Sequence, residues 1–197
     1  MQLSETPDKK ELPVLSFKTR NAFDKWLAKN YDKYNGIWLR FFKKASGEKA
    51  ITYKEALDEA LCYGWIDGQA NKYDDKSWIQ KFTPRRPKSI WSKRNTDHIE
   101  RLTSLGKMKP SGVAEVEKAK IDGRWANAYD GSSQMQIPED FMKILSRNKK
   151  ANTFFKTLNK ANKYAISFRL QTAKKPETRE KRLKAILEML SREEKFH

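Results

Sequence analysis

The chain has 197 residues, a mean hydropathy of −0.91 and a formal net charge of +17. That length allows one sizeable domain or two small ones, and six Trp, ten Phe and seven Tyr exclude the aromatic-poor composition of a disordered chain. No stretch approaches the ~20 apolar residues that a membrane-spanning helix needs, and the single cysteine, Cys62, excludes an intrachain disulfide and fits a reducing compartment.

Residues 1–11 are polar and read as a loose tail without the apolar run of an export signal, so a cytoplasmic setting is expected. Leu12 to Phe17 is a short candidate strand that Pro13 confines to an edge or a strand start. Thr19 can cap a helix running to about Tyr31, with Phe23, Trp26 and Leu27 on one face. Asn35-Gly36 is a turn. Ile37 to Phe42 reads as a strand, and its near-continuous apolar run suggests a central position. Thr52 caps a second helix, with Glu55 where a capping box places its acid. Gly64 ends that helix as a left-handed residue. Trp65-Ile66-Asp67-Gly68 is a short strand, Tyr73 to Lys76 a turn, and Ser77 to Phe82 a strand pairing back.

Beyond residue 92 the pattern becomes helical. A helix over 93–105 ends at Gly106, and Ser111 opens another that stops at Asp122-Gly123. Residues 124–137 are irregular, with Asp130-Gly131-Ser132-Ser133 as the flexible point. Pro138 suits the first position of a helix, with Glu139 and Asp140 at its positive end. Phe154, Leu158, Ala161, Ala165 and Phe168 form one amphipathic stripe. Pro176-Glu177 begins the last helix, whose Leu183, Ile186, Leu187 and Leu190 face inward. The predicted fold class is α+β. A small antiparallel or mixed sheet unit with two helices spans residues 12–92. A larger helical part over residues 93–192 shares one core with it.

The segment Phe82-Thr83-Pro84-Arg85-Arg86-Pro87-Lys88-Ser89-Ile90-Trp91-Ser92-Lys93-Arg94-Asn95 carries five basic residues and no acid. Pro84 and Pro87 fix φ and remove backbone donors, which makes it an ordered, non-helical loop. Three readings stand side by side. Arg85, Arg86, Lys88, Lys93 and Arg94 can hold phosphates while Trp91 stacks on a base. They can form a small-anion pocket with Ser89, Ser92 and Asn95 as further donors. Or the loop is a structural connector, with Arg85 and Arg86 paired to acids such as Asp67 and Trp91 buried.

The charge is concentrated further along. Residues 143–184 hold 14 Lys/Arg against Glu177 and Glu180 alone. A field of that size attracts polyanions, nucleic acid among them, with an affinity that falls steeply with salt. No zinc-finger spacing, RRM-type aromatic string or helix-turn-helix accompanies it.

Catalysis has little to work with. The only histidines are His98, read as a solvated surface residue beside Asp97, and His197. Cys62 reads as inert and buried. No Cys/His or acidic metal-binding spacing is present, and no metal or cofactor is expected. Asp67, between Ile66 and Gly68 and just after Trp65, is the weak catalytic candidate. It is an acid or base in a pocket walled by Trp65, a turn residue, or a partner of Arg85 or Arg86.

Five strings in order carry a family likeness: Ala60-Leu61-Cys62-Tyr63-Gly64-Trp65-Ile66-Asp67-Gly68, the loop from Phe82 to Asn95, Gly123-Arg124-Trp125, Pro138-Glu139-Asp140, and Ala173-Lys174-Lys175-Pro176-Glu177-Thr178-Arg179. From about Phe17 to Leu190 the chain resembles the YdeI/OmpD-associated, or bacteriocin-protection, family. The resemblance implies a role in stress or bacteriocin resistance and an envelope protein partner, with no reaction, cofactor or catalytic residue to transfer. The leading expectation is a non-enzymatic protein that binds anions or nucleic acid. The alternatives are an enzyme or ligand-binding protein using an Asp/Arg/Trp pocket, and an interaction module for an envelope partner.

Overall fold

The computed structural model describes residues 12–131 and 134–197, so the expected tail over 1–11 and two residues of the expected flexible point, Ser132 and Ser133, lie outside the described residues. The architecture is α+β. The described residues divide into two compact units: one runs up to Ile90 and resumes over 95–126, the other comprises 91–94 and 127–197.

The first unit is built on a four-stranded mixed sheet. Its strands are β1 (Val14–Leu15), β2 (Ile37–Phe42), β3 (Trp65–Lys72) and β4 (Ser77–Pro84), in the order β1-β2-β4-β3. β1 runs parallel to β2 and lies at the edge, as the proline beside it requires. β2 is central, paired antiparallel to β4 with Ile37 opposite Phe82 and Phe41 opposite Trp78. The apolar run of β2 nonetheless alternates in burial. Ile37, Leu39 and Phe41 are buried, whereas Trp38, Arg40 and Phe42 are half-buried on the other face. Cations cover that second face. The Arg40 guanidinium lies 4.6 Å from the Phe42 and Tyr73 ring centres, and Lys81 reaches over Trp38 at 5.9 Å.

Two helices cover the buried face. α1 (Arg20–Asn30) starts at Thr19, whose hydroxyl accepts the Ala22 N–H, and it buries Phe23 and Leu27. α2 (Tyr53–Cys62) starts in a full capping box: the Thr52 hydroxyl accepts the Glu55 N–H and the Glu55 carboxylate accepts the Thr52 N–H at 2.9 Å. α2 ends at Gly64, where φ is +79°, a conformation that costs any other residue about 1–2 kcal/mol.

α3 (Lys93–Ser104) and α4 (Pro110–Ile121) follow. α4 begins one residue before the sequence suggests, because Pro110 occupies its first turn behind Lys109. Gly112 sets how closely α4 approaches the end of α2. A Cβ there would stand 2.1 Å from the Cys62 carbonyl oxygen.

The second unit is helical: α5 (Glu139–Leu145), α6 (Lys149–Thr157), α7 (Lys160–Gln171) and α8 (Pro176–Ser191). Its core joins Phe141, Leu145, Phe155, Ile166, Leu170, Ile186 and Leu190. Two expectations need correcting here. Pro138 stands just before α5 with ψ 134°, as its cap rather than its first residue. The stripe from Phe154 to Phe168 is not one helix face. The chain breaks at Leu158 (ψ 138°), and Asn159 opens α7 by accepting the Asn162 N–H through its side chain. Leu158 and Ala165 are buried, whereas Ala161 on the new first turn is exposed.

Candidate anion-binding site

The basic loop is divided between the two units. Its first half belongs to the first unit and lines a cavity of about 370 Å³ there, and its second half belongs to the other unit. β4 ends at Pro84, and the Arg85 N–H donates to the Gly64 carbonyl at 3.0 Å, fixing where the loop leaves the sheet. A turn closes with the Ser89 N–H on the Arg86 carbonyl at 2.9 Å. Lys88 sits inside it at φ +72°, a left-handed backbone that non-glycine residues seldom adopt.

Four cations and two carboxylates line the cavity: Arg85 and Lys88 from the loop, Glu115 and Lys118 from α4, and Asp122 and Arg124 from the turn that ends α4. Arg85 and Arg124 are each only 6% exposed, which is unusual for arginine. Both are held rigidly. The Arg85 Nη1 donates to the Ile90 carbonyl at 3.3 Å. Arg124 donates through Nε to Asp122 Oδ2 at 2.6 Å and through Nη1 to the Ser89 carbonyl at 2.9 Å. Lys118 bonds Glu115 at 2.8 Å across one helical turn. In this lining the cations outnumber the acids by four to two. Fixed guanidiniums in a confined, partly dry space are the usual means of binding an oxyanion bidentately.

The other expected site residues lie elsewhere. Arg86 and Arg94 are exposed. Lys93 is bonded to Asp130 at 2.6 Å in the second unit, where Lys93, followed by Gln171, lowers the Asp130 carboxyl pKa. Ser92 is buried and bridges Tyr129, and Asn95 is half-buried. Trp65 and Trp91 are each 1% exposed. The Trp65 indole donates to the Tyr31 carbonyl at 2.9 Å, and the Trp91 carbonyl accepts the Tyr129 N–H. Both rings are buried, and neither offers a face on which a base could stack.

Asp67 lies on β3 opposite Phe82, and its carboxylate accepts the Tyr53 hydroxyl at 2.6 Å. It makes no ion pair with Arg85 or Arg86 among the described residues.

Sequence reasoning missed Lys118 and Arg124. The one local signal was an arginine directly after the Asp122-Gly123 helix stop. It also misread His98. Its Nδ1 lies 3.0 Å from Oδ1 of Asp58, a buried residue of α2, and Arg101 reaches the same oxygen at 2.5 Å. A neighbouring cavity of about 500 Å³ is lined by Arg20, Asp24, Glu59 and Lys109. There Arg20 bonds Glu59 and the Tyr63 hydroxyl donates to Asp24 at 2.9 Å. Cys62 is buried, and desolvation pushes its thiol pKa up to about 12. No group of residues suited to a metal ion is found among the described residues, and no helix there is long and apolar enough to cross a membrane.

Two family models match the chain. One, described as a domain of unknown function (DUF8412), covers residues 15–115. The other, described as bacteriocin-protection, YdeI or OmpD-associated, covers residues 134–193. The strings Pro138-Glu139-Asp140 and Ala173 to Arg179 fall in the second match. Those from Ala60 to Gly68 and from Phe82 to Asn95 fall in the first. A search of the curated proteins and of the solved structures finds no match.

Proposed function

The chain belongs to the family described as a domain of unknown function (DUF8412), and from the geometry of its first unit we propose a non-enzymatic anion-binding protein whose cavity takes a small phosphate-type anion. One observation carries this reading. Two arginines that are nine-tenths buried, Arg85 and Arg124, line the same small cavity as Lys88 and Lys118, with cations outnumbering acids four to two. Burying a charge is costly unless something answers it. Two carboxylates stand among the four cations of this lining, and a bound anion would add to what offsets them.

The proposed setting is the cytoplasm. The proposed role is the protective one that the matched description of residues 134–193 names, exercised by binding an anionic small molecule. A second reading, polyanion or nucleic-acid contact, is favoured by the exposed Lys149, Lys150, Lys156, Lys160, Lys174, Lys175, Lys181 and Lys184 of the second unit.

Calorimetric titration of the full chain with pyrophosphate at fixed ionic strength separates the two. The cavity reading expects one saturable site that Lys118→Gln and Lys88→Gln each weaken by about ten-fold. These side chains are exposed, so both variants should fold. Unchanged affinity in both variants contradicts it. Binding that appears only with duplex or single-stranded nucleic acid, and fades with salt, would favour the second reading.

A further inference from the structure

The second unit holds a cavity of quite different character. It measures about 580 Å³ and lies between α7 and α8, within the ~300–1,000 Å³ range of small-ligand sites. Its walls are Phe168 from α7, Ala185, Ile186 and Met189 from α8, and Phe196 beyond α8. Two arginines, Arg169 and Arg182, complete the lining with Thr172.

The wall is held in place by hydrogen bonds. The buried Asn162 carboxamide oxygen accepts the N–H groups of Phe196 and His197, each at 3.0 Å. This anchors the Phe196 ring, whose centre lies 3.7 Å from the Arg169 guanidinium carbon. Arg182 donates through Nη1 to the Arg169 carbonyl at 2.7 Å and to Thr172 at 3.3 Å. Arg169 donates through Nη1 to the Ala165 carbonyl at 3.1 Å. A guanidinium has five N–H donors. These bonds use one nitrogen of each and leave the outer edges uncommitted. Both arginines are half-buried, and neither meets a carboxylate among the described residues. Elsewhere on α8, Arg179 is matched by Asp140 at 2.8 Å.

We propose that this cavity binds a medium-chain fatty acid or a chemically equivalent apolar monocarboxylate. The carboxylate lies against Arg169 and Arg182, and the chain lies among Phe168, Ile186, Met189 and Phe196. Charge complementarity identifies the head, because two uncompensated guanidiniums border an otherwise apolar space. The walls identify the tail. A polyphosphate would bury charge against phenyl and aliphatic groups, at a cost that a hydrocarbon chain avoids. The inference stands apart from the anion pocket of the first unit, with which it shares no residue.

Decanoate titrated into the full chain, followed by methyl NMR of Ile186, Ala185 and Met189 and by calorimetry, tests it. The expected result is a single saturable site, with decanol weaker by about ten-fold because it lacks the charge. Arg182→Gln should weaken decanoate by a similar factor and leave decanol unchanged. Lys184→Gln, an exposed charge on the same helix, should leave both unchanged. Should Arg182→Gln disturb the helix pair, Met189→Trp fills the cavity while keeping every charge, and it should abolish binding of both probes. The proposal is overturned if decanol binds as well as decanoate, if Lys184→Gln costs as much as Arg182→Gln, if Met189→Trp leaves affinity intact, or if no saturation is reached.

Discussion

The two units place positive charge against a cavity in opposite ways. In the first, Arg85 and Arg124 are almost fully buried, and Glu115 and Asp122 stand among the cations. In the second, most of the basic residues are lysines in solvent, and Arg169 and Arg182, which line a cavity, meet no acid among the described residues. By count of charges the second unit is the stronger polyanion attractor. By burial and fixed geometry the first is the better place for a compact anion. A formal charge says how strongly a region draws a ligand towards it. What it then holds depends on how much water the charged groups have already lost.

The construction differs too, and this gives the largest expected effect. The first cavity depends on α4 lying hard against the end of α2, where Gly112 leaves no room for a side chain. Gly112→Ala should cost about 3 kcal/mol or more, because the clash is with backbone rather than with a flexible side chain. A thermal melt of the full chain would measure it, and pyrophosphate affinity should fall alongside. A variant as stable as the parent would remove the basis for saying that this contact sets the cavity.

Next comes charge compensation. Asp122→Asn removes a half-exposed carboxylate bonded to Arg124. It should tighten pyrophosphate binding by about five-fold, from the loss of roughly 1 kcal/mol of repulsion. Weaker binding would mean that Asp122 matters more for orienting Arg124 than for opposing the anion.

The second unit relies on local caps instead. Asn159→Ala removes the side chain that starts α7 and should cost about 1 kcal/mol, read from denaturant unfolding. The same change should disturb decanoate binding more than pyrophosphate binding, since Asn159 also holds the Asn162 carboxamide.

The smallest effect near neutral pH is that of Cys62. Its folded thiol pKa is raised to about 12 from an ordinary value near 9.0, so the unfolded chain releases this proton first. Its contribution to stability is therefore complete below about pH 9 and is lost as pH rises towards 12. At pH 8 the native thiol should resist alkylation and react only on unfolding. Prompt labelling of the native protein would contradict its burial.

Much of the first unit was legible because its signals are local. Thr19, the Thr52–Glu55 box, Gly64 and the run from Ile37 to Phe42 each specify structure within a few residues, and each lies where the sequence puts it. The break at Leu158 was missed because the apolar spacing stays in phase across it, and only Asn159 betrays the new helix. The cavity was half legible. Arg85 and Lys88 are visible in the proline-rich loop, whereas Lys118 and Arg124 join them through the packing of α4, which depends on Gly112. Trp91 could be read two ways from the sequence, as a stacking platform or as a buried side chain. An indole among basic residues allows stacking, and its large apolar surface allows burial; the ring is buried.

The most direct test of the central claim is to watch the arginine Nε–Hε signals of the full chain by NMR during a pyrophosphate titration at constant ionic strength. The account predicts that Arg85 and Arg124 shift together and saturate at one equivalent, with the Ser89 and Lys118 amides moving at the same affinity. Shifts confined to the lysine-rich helices from Lys149 to Lys184, rising without saturation while Arg85 and Arg124 stay fixed, would contradict it.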